Sequence, residues 1–140
     1  MKTEARNAWV KALRSGEYEQ SKHMLHSNVG WCCLGVACDV FAIPLGIKVN
    51  KVVFEEEDGN ETFETFFNFE SQVLPRVVQE YLHLNTPEGS FTEPRITGAQ
   101  RGDTLTSLND AGMSFDAIAD VLEKHEDLLF SDKKEWEKND

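Results

Sequence analysis

Apolar residues recur at helical spacing in three segments of the chain. Residues 4–15, 74–84 and 115–122 each carry an apolar stripe in which neighbours are three or four positions apart, as on one face of an amphipathic helix. Thr104 and Ser114 stand directly before apolar residues in the C-terminal part, where a hydroxyl can cap a helix start. The pattern therefore predicts one helix near the start, one in the middle and two capped helices near the end.

A different pattern between these helices predicts a β-hairpin. Residues 47–54 are rich in valine, and residues 62–69 place phenylalanine and threonine on alternate positions. The acidic stretch 55–61 between them contains the turn signal Asp58-Gly59. Phe66 on the opposite face indicates a sheet that is partly covered on both sides. The expected fold is α+β, a mainly helical domain with a small antiparallel hairpin or sheet.

The remaining segments are polar and predict loops. Residues 17–29 read as a polar loop, and residues 85–103 as a long, ligand-facing connection rich in glycine, proline and threonine. Residues 131–140 form a charged tail, so we expect a single globular domain over residues 1–130.

Three cysteines lie in one apolar segment, residues 30–41. Cys32, Cys33 and Cys38 are surrounded by small apolar residues, which predicts a central buried helix in which Cys33 and Cys38 are buried and unreactive. Asp39 in this helix is expected to pair with a neighbouring group, because an unpaired buried carboxylate is unfavourable. One alternative is catalytic, since a helix N-terminus lowers a thiol pKa, as in peptidases of the NlpC/P60 type. A zinc site with His23 or His26 is a second alternative, although adjacent cysteines point about 100° apart on a helix.

The charge balance narrows the classes of partner. The chain has 14 basic and 25 acidic side chains, for a net charge of −11. Residues 1–50 carry six basic and four acidic groups, whereas residues 51–140 carry eight and 21. A surface so acidic disfavours binding to nucleic acid or to anionic membranes, both of which attract cationic proteins. No apolar run reaches the ~20 residues of a membrane span, and no signal-like stretch is present, so a cytoplasmic location is expected.

Two further patterns favour structural interpretations. Residues 105–119 are similar to the opening of a DNA-binding helix-turn-helix, but the residues that follow are too acidic to approach phosphate. The run 55–58 is acidic but lacks the spacing of a calcium loop, which indicates a solvated turn. We expect no cofactor and no metal.

An anion site is the one defined ligand site that the sequence predicts. The segment 98–104 leads directly into a helix start, where free amides favour a phosphate or carboxylate, and Gly30 precedes a second such start. Basic side chains add charge-assisted contacts, and aromatic side chains offer stacking surfaces for a base. The candidate ligand-binding residues are Arg101, Arg95, Lys22, Trp31, Tyr18 and Thr104.

Three blocks of sequence carry a resemblance to known proteins. The blocks are WVKALRSGEYEQ at residues 9–20, WCCLGVACD at 31–39, and LNDAGMSF followed by IAD at 108–120. The chain thereby resembles a group of small, mostly uncharacterised proteins encoded by tailed phages and prophages. The resemblance implies a phage accessory gene and supplies no activity or site residues.

That context leads to three functional hypotheses. The first is counter-defence, in which the protein binds and sequesters a phosphorylated nucleotide-type signal of the host without being an enzyme. The second is an acidic protein that inhibits a host enzyme or defence protein by contact. The third is a cysteine-dependent hydrolase. A homo-oligomer is left open.

Overall fold

The computed structural model describes residues 2–91 and 104–131. These residues form helices and an antiparallel sheet, which confirms the predicted α+β class. In chain order the elements are α1 (Lys2–Arg14), β1 (His26–Ser27), β2 (Gly30–Trp31), α2 (Cys33–Ala42), β3 (Val49–Glu55), β4 (Glu61–Phe67), α3 (Arg76–Leu82), α4 (Leu105–Asp110), α5 (Phe115–Lys124) and α6 (Glu126–Leu129).

The sheet has four strands in the order β2-β1-β4-β3, and every pair is antiparallel. β3 and β4 form the predicted hairpin, with a ladder from Val49 opposite Phe67 to Glu55 opposite Glu61. β1 joins this hairpin through Ser27, which lies opposite Glu64. The prediction of a loop over residues 17–29 was therefore wrong for β1, because a strand of two residues is too short to show alternation.

Helix α2 packs against α1, α3, α4 and β2, and seven of its ten residues are buried. Its first turn approaches a neighbouring backbone very closely. A Cβ atom built on Gly35 would lie 1.7 Å from the carbonyl oxygen of Leu25, so only glycine fits there. The Cys32 amide donates to the same carbonyl at 3.2 Å, which fixes residue 25 against the helix start.

Helix α1 connects the start of the chain to its last described turns. The Trp9 indole is fully buried and donates to the Cys33 carbonyl at 3.0 Å. Arg6 is buried as well, with its guanidinium 4.1 Å above the Phe130 ring and 3.7 Å from the Glu126 carboxylate. Helix α1 also packs against α5.

The hairpin is covered by the body of the protein only in part. On β4, Thr65 is 5% exposed and Phe67 is 2% exposed, so one face of that strand reaches the core. On β3, every residue except Asn50 is exposed. The expected cover on both sides of the sheet is therefore absent at β3 among the described residues.

The two C-terminal caps are confirmed. Thr104 and Ser107 form a reciprocal capping box at the start of α4, and the Ser114 hydroxyl accepts from the Ala117 amide at the start of α5. Within the described ranges, no helix is both long and apolar enough to cross a membrane. Most of the predicted ligand-facing loop, residues 92–103, and the tail residues 132–140 lie outside the described residues.

Candidate functional site

The predicted anion-binding residues meet only in part. Arg95 and Arg101 lie outside the described residues. The Thr104 hydroxyl accepts from the Ser107 amide at 3.0 Å, and the Ser107 hydroxyl accepts from the Thr104 amide at 2.8 Å. These two amides at the start of α4 are thus already engaged by side chains of the cap.

Two of the predicted aromatic residues do lie together. The Tyr18 and Trp31 rings make an edge contact with centroids 5.3 Å apart. The Tyr18 hydroxyl donates to the Asp39 carboxylate at 2.5 Å, and Asp39 is exposed rather than buried as expected. Burial raises the pKa of the Tyr18 phenol, with further contributions from Asp39. Lys22 is exposed beside Ser21, whose amide donates to the Trp31 carbonyl at 2.7 Å.

His26 completes this group, which we call the aromatic cluster (Tyr18, His26, Trp31, Phe63 and Phe67). Its ring stacks on Trp31 with centroids 3.7 Å apart and planes inclined by 16°. The His26 Nδ1 atom lies 2.9 Å from the Thr65 hydroxyl oxygen. Burial lowers the pKa of His26, Lys51 lowers it further and Asp39 partly offsets both effects. The ring is therefore neutral at neutral pH, and one face of Trp31 is already occupied.

The thiols are buried instead of activated. Cys32 caps α2, where its sulfur accepts from the Gly35 amide at 3.4 Å. Burial raises the pKa of this thiol to about 11, and it also raises the pKa of Cys33 and Cys38. The alternative of a catalytic cysteine required a lowered thiol pKa. Desolvation outweighs the helix N-terminus here because the side chains have left water.

Asn109 forms a polar hub that sequence reasoning missed. It is 1% exposed, and its side-chain oxygen accepts from the Gln20 amide group at 2.9 Å and from the Cys33 backbone amide at 3.2 Å. Its side-chain nitrogen donates to the Ser21 carbonyl at 2.8 Å. One buried side chain thus joins α4 to the start of α2 and to the segment after α1.

Neighbouring contacts extend this hub to α5. The Gln20 side chain donates to the Met113 carbonyl at 2.7 Å and accepts from the Phe115 amide at 3.2 Å. The Asp110 carboxylate accepts from the His23 backbone amide at 2.9 Å. The three blocks that carry the resemblance therefore meet at one place, and their polar residues hold the fold together there.

The hairpin presents a surface of another kind, which we call the hairpin surface (residues 49–58). Four large apolar side chains of β3 are between 40% and 53% exposed: Val49, Val52, Val53 and Phe54. They run directly into the acidic residues 55–58 at the tip. Because successive side chains of a strand point to opposite faces, Val49 and Val53 are exposed on one face and Val52 and Phe54 on the other. Exposed apolar side chains that lie together are typical of an interaction site.

In the described residues, acidic side chains outnumber basic ones in the lining of two open clefts. The first, about 290 Å³, contains Glu70 and Glu80, and its one cation, Arg76, is paired with Glu80 at 2.6 Å. The second, about 360 Å³, is lined by Arg6, Glu123, Lys124, Glu126, Asp127 and Phe130. The predicted anion-binding residues line neither cleft. In the described part of the chain, no group of three His, Cys, Asp or Glu side chains is arranged to hold a metal ion.

The fold and these surfaces define a small α+β domain with a buried polar hub and a protruding hairpin. The chain belongs to the family described as Domain of unknown function (DUF8296), whose model matches residues 1–126. No curated protein matches the chain, and no solved structure does either.

Proposed function

We propose that this chain is a non-enzymatic module that binds another protein through the hairpin surface. The observation that carries the proposal is the pair of exposed apolar side chains on each face of β3, beside an acidic tip. Such a module fits the second hypothesis from the sequence, an acidic inhibitor of a host enzyme or defence protein. We propose the cytoplasm of a phage-infected cell as its setting.

The chemistry of the hairpin surface indicates its partner. Burial of Val52 and Phe54, which share one face of β3, would supply part of the binding free energy, because exposed apolar area is removed from water. The carboxylates at the tip would attract a cationic partner and accelerate association. The expected partner is therefore a protein with an apolar patch bordered by lysine or arginine.

A pair of matched baits tests this proposal. Purified wild-type protein, the tip variant Glu56→Gln/Glu57→Gln and the remote control Glu4→Gln/Glu17→Gln are each incubated with host lysate. All four glutamates are exposed, so both variants lose the same charge. A protein retained by wild type and by the control, but lost by the tip variant and by high salt, supports the proposal. Equal retention of the same proteins by all three baits contradicts it.

A second candidate is the nucleotide sponge, which the contact between Tyr18 and Trp31 favours. Sequestration would raise the melting temperature with ligand, since only the folded state binds. Scanning fluorimetry against cyclic and ADP-ribose nucleotides measures this shift, and Arg101→Ala should remove most of it. If no nucleotide moves the melting temperature of wild type, the sponge is excluded and protein binding remains.

We also propose that α2 is the central element of a mainly helical domain and that its cysteines take no part in catalysis. Its contacts with four other elements and the burial of its thiols support this. Maleimide labelling at increasing urea concentration is the test. Labelling of Cys33 and Cys38 should follow global unfolding, whereas fast labelling in native buffer would contradict both statements.

A further inference from the structure

The free edge of β3 is the strongest unexplained feature of the described structure. β3 is the last strand of the sheet, and among the described residues only β4 pairs with it. At its two ends, the Asn68 amide donates to the Lys48 carbonyl at 2.7 Å and the Glu56 amide donates to the Asn60 carbonyl at 2.8 Å. Antiparallel pairs exchange hydrogen bonds at every second residue. Even-numbered residues therefore face β4, and the backbone groups of Lys51, Val53 and Glu55 face outward.

An exposed edge of this kind pairs readily with another strand, and proteins often protect it with a charged side chain. Lys51 alone would provide such protection. Four residues further along, however, Glu55 carries the opposite charge on the same face of the strand. These two charges therefore disfavour pairing of β3 with most other strands, but they are complementary to those of an antiparallel copy of β3.

We propose that two copies of this protein dimerise by antiparallel pairing of their β3 strands. The two-fold axis passes beside Val53, which then lies opposite Val53 of the second copy. This register places Lys51 opposite Glu55 of the second copy, and it places Val52 opposite Phe54 of the second copy. The ion pair and the pair of Val52 with Phe54 each occur twice by symmetry, and the pair of Val53 with Val53 occurs once, in a continuous sheet of eight strands.

Registers shifted toward the start of the strand lose this complementarity. A shift of two residues in one direction brings Lys51 opposite Val53, and a larger shift brings Lys51 opposite Lys51 of the second copy. Like charges directly opposite each other in a sheet are destabilising, whereas opposite charges and apolar pairs are stabilising. In the proposed register the outward N–H and C=O groups of Val53 lie opposite those of Val53 in the second copy. The two residues can therefore exchange both hydrogen bonds of an antiparallel pair.

Charge reversal tests the register directly. Lys51→Glu places two carboxylates opposite each other twice, and Glu55→Lys does the same with two ammonium groups, so each variant should dissociate at least about tenfold more readily. Sedimentation velocity over a range of micromolar concentrations measures the dissociation constant. An equimolar mixture of the two variants should recover the dimer, as should the double variant, because every pair is again of opposite charge.

Two controls separate pairing from net charge and from misfolding. Lys11→Glu and Glu17→Lys make the same charge changes at exposed positions outside the hairpin and should leave the dimer unchanged. Val53→Pro removes only an outward amide, so the hairpin should stay folded by circular dichroism while the dimer is lost.

Two results would overturn the dimer. One is a wild-type protein that sediments as a monomer throughout the concentration range. The other is a dimer that Val53→Pro and both charge reversals leave intact. These measurements use the purified chain alone, so a monomeric result would leave the proposed binding of another protein untouched.

Discussion

The hub around Asn109 and the β3–β4 hairpin use polar and apolar residues in opposite ways. At the hub, polar side chains are buried and satisfied by partners far away in the sequence. In the hairpin, apolar side chains are exposed and acidic ones surround a local turn. Loss of a polar contact at the hub should lower the free energy of unfolding strongly, because the remaining partner is buried and cannot form a hydrogen bond to water instead. Exposure makes the hairpin tolerant of change and available to a partner.

The largest effect is expected where the backbone at the start of α2 meets residue 25. Gly35→Ala would force a Cβ atom into the Leu25 carbonyl, so we expect a loss of more than about 4 kcal/mol of unfolding free energy or no folded protein. Gly46→Ala is the control, since it has open space and a positive φ of 64° and should cost only about 1 kcal/mol. Urea denaturation measures both, and equal losses would contradict the close approach at Gly35.

A smaller but still large effect is expected at the hub itself. Asn109→Ala leaves the Cys33 amide and the Ser21 carbonyl without their side-chain partner, at a cost of about 3 kcal/mol in the free energy of unfolding. Asn60→Ala, at the exposed hairpin turn, removes the same side chain and should cost less than about 1 kcal/mol. If the two variants unfold at the same urea concentration, the hub does not have the role described here.

A pH effect of intermediate size is expected from His26. Because its folded-state pKa lies below the ordinary value of 6.5, the unfolded chain binds a proton first as the pH falls. The contribution of neutral His26 to the free energy of unfolding should be fully present above pH 6.5. It should decline below pH 6.5 until the folded-state pKa is reached. Melting temperatures across this range measure the decline. His26→Gln should flatten this decline, and a wild-type slope in His26→Gln would contradict its assignment to His26.

The smallest effect is expected at the hairpin tip. Glu56→Gln/Glu57→Gln removes two exposed charges, so the free energy of unfolding should change by no more than about 0.5 kcal/mol. Denaturation in urea provides the measurement. A larger loss would show that the tip supports the fold and would remove the contrast with the hub.

Local features of this fold were predictable from sequence, and distant ones were not. The caps at Thr104 and Ser114 depend on residues three positions away, so the sequence alone predicts them. The hub depends on Gln20 and Asn109, which are 89 positions apart, and no periodicity links them. The only sequence signal for these two residues was that each lies in one of the blocks that carry the resemblance.

The candidate site shows the same limit. Tyr18 and Trp31 were each predicted as a stacking surface for a ligand, but their contact with each other was not predicted. The stack of His26 on Trp31 depends on a strand of two residues. The alternation of β4 predicted the hairpin, yet it could not show that every residue of β3 except Asn50 is exposed. Exposure of β3 is a property of the tertiary arrangement, so the hairpin surface emerged only from the structure.

The contact between α1 and the last described turns has a consequence for synthesis of the chain. Arg6 packs on Phe130 and pairs with Glu126, and α1 as a whole lies against α5. Because α1 is synthesised long before these partners, the apolar face of α1 cannot pack against them until most of the chain has been translated. A message cut short before α5 would release a polypeptide in which α1 lacks α5, Glu126 and Phe130 as partners, and exposed apolar surface of that kind makes a chain prone to aggregation.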